Sequence, residues 1–172
     1  HDVTVLKLAA LKGIFSRIVS EQVSYVNAPL MAEARGMEVT LTKDETSADY
    51  RNLLTLRGVL ADGSVVSASA TLTGAKQTQK LVGINGYEVE VPLASHHIVM
   101  MYEDRPGIVA VYGKAFGDAS INIAGMQIAR DTRGGQALSV LTVDSRVPDE
   151  LLAEVASAIS ATTMAPIDVI DL

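Results

Sequence analysis

A chain of 172 residues suits one ordinary domain or two small ones. Its 14 Lys plus Arg against 20 Asp plus Glu leave a net charge of −6, which argues against a nucleic-acid surface or an anionic membrane, since both need a basic patch. With 48% hydrophobic residues but only two Phe, five Tyr and no Trp, the core has to be aliphatic. The absence of cysteine excludes disulfides, thiolate metal sites and a cysteine nucleophile, and it fits a cytoplasmic setting.

No apolar run reaches the length of a membrane span, and His1-Asp2-Val3-Thr4 lacks the basic start and long apolar centre of a signal peptide. The missing initiator Met suggests a processed or excised piece, whose function belongs partly to residues outside it.

From Val5 to Val19, Leu8, Leu11, Ile14, Phe15 and Ile18 line one face of an amphipathic helix. Asn27 can cap a second helix with Pro29 in its first turn, and Gly36 can end it in the left-handed conformation. The period then changes. Residues 37–42, 51–60, 64–72, 79–84 and 87–91 read as short antiparallel strands. Asp62-Gly63 and Asn85-Gly86 are hairpin signals in which both central residues favour positive φ.

Pro92 in "VPLAS" interrupts a strand, and a fresh apolar run, His97 to Met101, follows it. The chain therefore divides into residues 1–93 and 94–172. In the second part Ile108, Val111, Tyr112, Ala115 and Phe116 keep a helical period that Gly117 stops. Asn122 to Ile128 and Ala137 to Val143 read as strands around Arg133-Gly134-Gly135. Pro148, Asp149 and Glu150 open a helix carrying Leu152, Val155 and Ile159, and Ile167 to Leu172 closes as a strand. The order is βαββαβ, the ferredoxin-like arrangement with both helices on one face of a four-stranded antiparallel sheet, so the fold class is α+β.

The segment "YEDRPGIVAVYGKAFGDASINIAGM" carries the chemistry. Asp104-Arg105-Pro106-Gly107 lies between a strand and a helix, where unpaired N–H groups meet the positive helix end and favour an anion or a hydroxyl. Gly107 lets a ligand approach the backbone, and Pro106 fixes the entry to the helix. Asp104 either caps that helix or offers its carboxylate to a ligand ammonium, while Arg105 serves as a solvated or inter-subunit charge. The Asn122 amide supplies both a donor and an acceptor.

These residues carry a family resemblance. "YEDRPGIVA" followed by "INIAGMQIARD" resembles the acid-x-Pro-Gly, then Asn-Ile, pattern of ACT domains, the small-molecule sensors of amino-acid metabolism. With "NAPLMAEARG", "ADGSVVSASATLTG" and "QKLVGINGYEVEVP", the whole chain resembles the C-terminal regulatory region of the long-form D-3-phosphoglycerate dehydrogenase family, an intervening domain and then an ACT domain. The resemblance implies feedback inhibition by L-serine, held where two ACT sheets join side by side in a homo-oligomer. It assigns Tyr102, Asp104, Arg105, Pro106, Gly107, Ile108, Asn122 and Ile123 to the serine site. An oligomerisation scaffold without a ligand is the alternative.

The family's NAD-binding core has no counterpart here, because no Gly-x-Gly-x-x-Gly follows a strand. No catalytic residue and no cofactor are assigned to this chain. In one branch of the family, basic residues after the Asn-Gly hairpin hold a phosphorylated effector. Lys80 matches, but Tyr87, Glu88 and Pro92 stand where basic or histidine side chains belong, and one ammonium beside Glu88 makes a poor phosphate site. This leaves Lys80 as either a lone anion ligand or an ordinary strand lysine. His96 and His97 are adjacent, so on a strand their rings face opposite sides and cannot chelate one ion; no metal site is assigned.

Overall fold

The apolar spacing at the start of the chain gives helix α1, Thr4–Phe15, which buries Leu11 and Phe15. It stops short of Val19: the Ser16 hydroxyl donates to the Lys12 carbonyl at 2.7 Å, and the chain turns at residues 16–18. A computed structural model describes residues 3–47 and 49–169, and the chain groups into two units, His1–Asp49 and Tyr50–Leu172.

In the first unit, α1 packs against α2, Ala28–Ala34, around Leu11, Phe15, Ala28 and Ala32. Asn27 does not cap α2. Its Oδ1 instead accepts the Ser24 N–H at 2.7 Å, closing the preceding turn. Gly36 ends the helix at φ +66°, with the Met37 N–H donating to the Ala32 carbonyl. Residues 37–42 form no strand; Val39 packs on the helices, and its carbonyl accepts Lys7 Nζ at 2.9 Å.

The second unit opens with a meander of four antiparallel strands, β1 Leu54–Val59, β2 Val65–Thr73, β3 Thr78–Ile84 and β4 Tyr87–Pro92, in that spatial order. β1 begins three residues later than the alternation predicts, because Asn52 turns its Oδ1 to the Leu72 N–H at 2.9 Å. Asn85 and Gly86 both take positive φ, as the hairpin requires. At the other signal only Gly63 does, in a longer loop where Asp62 accepts from Ser64, an interaction that holds the Asp62 carboxyl below its ordinary range.

After the meander come β5 His96–Glu103, α3 Ile108–Asp118, β6 Ile123–Arg130, β7 Gln136–Val143, α4 Asp149–Ile159 and β8 Thr163–Asp168. Their sheet runs β6-β7-β5-β8, all antiparallel, the ferredoxin-like order. α3 passes through Gly117, and Ser120 at φ +58° takes the left-handed position instead. β8 starts four residues earlier than expected; Pro166 sits within it, as an edge strand permits, and residues 170–172 of the expected strand lie outside the described residues.

Both faces of this second sheet are covered. Ile98, Met100, Tyr102, Leu141 and Val143 pack against Ile108, Tyr112 and Phe116 of α3 and Leu152, Val155 and Ile159 of α4. On the other face Val99, Leu138 and Val140 meet Ile84, Val89 and Val91 of the meander. The break between residues 93 and 94 that sequence suggests falls within this unit, between two sheets that pack on one another.

Candidate functional site

Gly107 precedes α3 at φ +94°, with no side chain capping the helix. The residue is exposed, and a Cβ there would meet nothing within 4 Å, so the requirement for glycine is conformational. Arg105 and Pro106 are also exposed, which leaves the first N–H groups of α3 at an open surface.

Asp104 turns away from the helix. Its Oδ2 accepts Arg130 Nη1 at 3.2 Å and the Gly134 N–H at 3.4 Å, and its own N–H donates to the Gly135 carbonyl at 2.8 Å. Asp104 is therefore no helix cap, and its carboxylate already has an arginine partner. The acid clamps the loop to the β6–β7 hairpin and fixes Arg130 beside it.

Tyr102 does not reach the loop surface. It is 2% exposed, and its hydroxyl lies 2.5 Å from Ser139 Oγ in the core. Beside it, burial foremost and then the Tyr102 charge push the Tyr112 phenol up to about 12, and Tyr112 donates to Met126 Sδ at 3.0 Å. Ile108 is buried under the helix and Ile123 is half-buried in the same core, so both support the site from below rather than facing a ligand.

Asn122 lies at the other end of the sheet. Its Nδ2 donates to Asp144 Oδ2 at 2.7 Å. In the register, Gln136 stands beside Glu103 at one end of β7 and Val143 beside Ile123 at the other. Seven residues of extended chain separate them by about 24 Å. One chain thus cannot bring Asn122 to the Asp104–Gly107 loop. Asp144 was not singled out by sequence reasoning; its signal was the acid immediately after an apolar strand.

β6 is an edge strand, and it exposes Met126 and Ile128 at 49% and 42%. Lys80 pairs with Glu90 at 3.1 Å rather than with Glu88, so its charge is already met within the meander. The adjacent histidines do diverge. His96 Nδ1 is 2.9 Å from Asp168 Oδ1, whereas His97, 3% exposed, accepts the Ala94 N–H at Nε2 and turns Nδ1 to Thr142 Oγ1. Among the described residues no helix is long and apolar enough to cross a membrane.

The family model for the D-3-phosphoglycerate dehydrogenase intervening domain matches residues 1–85, and that for the ACT domain matches residues 96–160. The chain belongs to these two domain families, joined in series. Among its relatives, the D-3-phosphoglycerate dehydrogenase of Mycobacterium tuberculosis is 36% identical over 98% of this chain and 32% of its own. That of Synechocystis sp. is 33% identical over 87% of this chain and 27% of its own, and that of Bacillus subtilis 26% identical over 97% and 31%. The chain spans about a third of the length of these relatives. The ACT match runs from β5 to the end of α4 and contains both the loop and Asn122, while the intervening-domain match contains α1, α2 and most of the meander.

Proposed function

We propose that this chain is the regulatory part of a phosphoglycerate dehydrogenase of L-serine biosynthesis, and that two copies bind L-serine between their ACT sheets to inhibit the enzyme. The observation that carries this reading is the placement of the Asp104–Gly107 loop and Asn122 at opposite ends of the edge strand β6. A two-fold axis that pairs β6 with the β6 of a second copy, antiparallel, sets the loop of each against the Asn122 of the other. The exposed Met126 and Ile128 on that strand favour such an approach.

Charges divide suitably between the two ends. Arg130, Arg105 and the free N–H groups of α3 offer a cationic side for the ligand carboxylate, and Asp144 beside Asn122 offers an anionic side for the ammonium. Since Asp104 is paired with Arg130, we assign the ammonium contact to Asp144 and give Asp104 the task of holding Arg130 in place. The Asn122 amide remains to meet the hydroxyl. Hydride transfer and its NAD are assigned to the part of the relatives that this chain does not match. A coupling of roughly 1–3 kcal/mol between the serine site and a distant active site is enough to regulate it.

Assembly without a ligand is the second reading, favoured by the partners that Asp104 and Asn122 already have within one chain. Calorimetric titration with L-serine, with size measured on the same samples, separates the two. The serine reading predicts a saturable binding heat whose fitted free energy is about −4 to −8 kcal/mol, the millimolar to micromolar range, and its loss in Asn122→Ala. A dimer that gives neither heat nor a thermal shift at millimolar serine is a scaffold.

A further inference from the structure

Strand β6 changes face along its length. Ile123 lies opposite Val143 and packs in the core beneath the helices, whereas Ala129 lies opposite Leu138 and packs in the core against the meander. Residues 123 and 129 are an even number apart, and a regular strand would place both on one face. The register shift between Ile123 and Gly125 supplies the inversion. Such a bulge adds one residue and turns every later side chain over. Without it Gln127 would point at the helices. With it Gln127, opposite Val140, points at the meander.

There its Oε1 accepts the backbone N–H of Glu90 at 2.7 Å. β4 is the last strand of the meander and β6 the last strand of the ACT sheet, so this bond joins two sheet edges. The carboxylate of the same Glu90 holds Lys80 of β3 at 3.1 Å. From Asn122, five residues of one strand thus lead to a side chain that grips the second sheet.

We infer that Gln127 is the positioning residue that carries occupancy of the serine site from β6 to strand β4 of the meander, through its bond to the Glu90 N–H. The inference rests on the serine reading above. Ordering of β6 by a ligand at Asn122 fixes the Gln127 acceptor, which holds the Glu90 N–H more firmly and slows its exchange with solvent.

The test is amide hydrogen exchange at Glu90 in the full chain, with and without saturating L-serine, with calorimetry on the same preparations. Wild type is expected to show at least about fivefold slower exchange at Glu90 with serine, the low end of ordinary coupling between sites. Gln127→Leu, which keeps the bulk and removes the acceptor, is expected to retain serine heat and lose the response. Gln127→Glu keeps an acceptor oxygen and is expected to restore it. Serine heat in wild type with unchanged Glu90 exchange overturns the coupling alone, as does a full response in Gln127→Leu. Absence of serine heat in wild type overturns the serine reading and this inference together. The wild-type comparison stands even if a variant does not fold.

Discussion

Asn122 and Asp144 are tied twice across the end of the β6–β7 pair: Asn122 Nδ2 donates to Asp144 Oδ2 at 2.7 Å, and the Asp144 N–H donates to the Asn122 carbonyl at 3.2 Å. If Asp144 receives a ligand ammonium, its charge matters more than its shape. Asp144→Asn keeps the shape and removes the charge. A charge-assisted hydrogen bond contributes about 1.5–3 kcal/mol, so serine affinity should fall roughly tenfold to a hundredfold in calorimetry. The residue is exposed, and the melting temperature should hardly move. Undiminished affinity would remove Asp144 from the site.

His97 predicts a pH dependence of stability. Its Nε2 accepts a backbone N–H from Ala94, so the ring must be neutral with its proton on Nδ1, and burial lowers its pKa. In the unfolded chain an ordinary histidine takes up a proton near pH 6.5. The unfolded state then binds more protons than the folded one, so this contribution is whole above about pH 6.5 and is lost as pH falls below it. Thermal unfolding between pH 7.5 and 5.5 should show a fall in wild type that is smaller in His97→Gln. Parallel pH profiles in the two proteins would mean that the buried imidazole does not govern the loss.

The Tyr102–Ser139 pair is buried, with Ser139 0% exposed. Tyr102→Phe leaves the buried serine hydroxyl with only the neighbouring Tyr112 phenol and should cost about 1–3 kcal/mol in chemical denaturation. Adding Ser139→Ala should recover part of that loss, because the under-satisfied hydroxyl is gone. A double variant less stable by the sum of the two single effects would show that the hydroxyls do not depend on one another.

Gly107 sits at φ +94° with open space where a Cβ would go. Gly107→Ala should therefore cost only the left-handed strain, about 1–2 kcal/mol, with no added clash. A loss well beyond that in denaturant titration would mean that the loop packs more tightly than its geometry indicates.

Much of this arrangement is legible in the residues. The helical spacing of Ile108, Tyr112 and Phe116 and the Asn85-Gly86 turn translate directly into α3 and the β3–β4 hairpin. The errors at element ends have local causes: Ser120 takes the left-handed position expected of Gly117, and Pro166 is tolerated because β8 is an edge. "MEVTLT" alternates like a strand, but among the described residues no strand pairs with it. Coverage of the second ACT face has its own signal in the sequence. "HIVMMY" and "ALSVLTV" do not alternate, as a sheet with one wet face would. The bulge that aims Gln127, and the partners that Asp104 and Asn122 find across the sheet, depend on register, which one sequence does not display.

A serine site shared between two copies can be rebuilt by mixing variants that each damage a different half of it. Asn122→Ala spoils one half of each site, and Arg130→Ala, which removes a cation from the carboxylate side, spoils the other. Each variant alone should give little serine heat, whereas an equilibrated equal mixture should regain it in about a quarter of the wild-type sites, because half the dimers are mixed and each mixed dimer has one intact site. Mixtures no better than the separate variants, at a dimer content equal to wild type, would contradict a site built across the two chains.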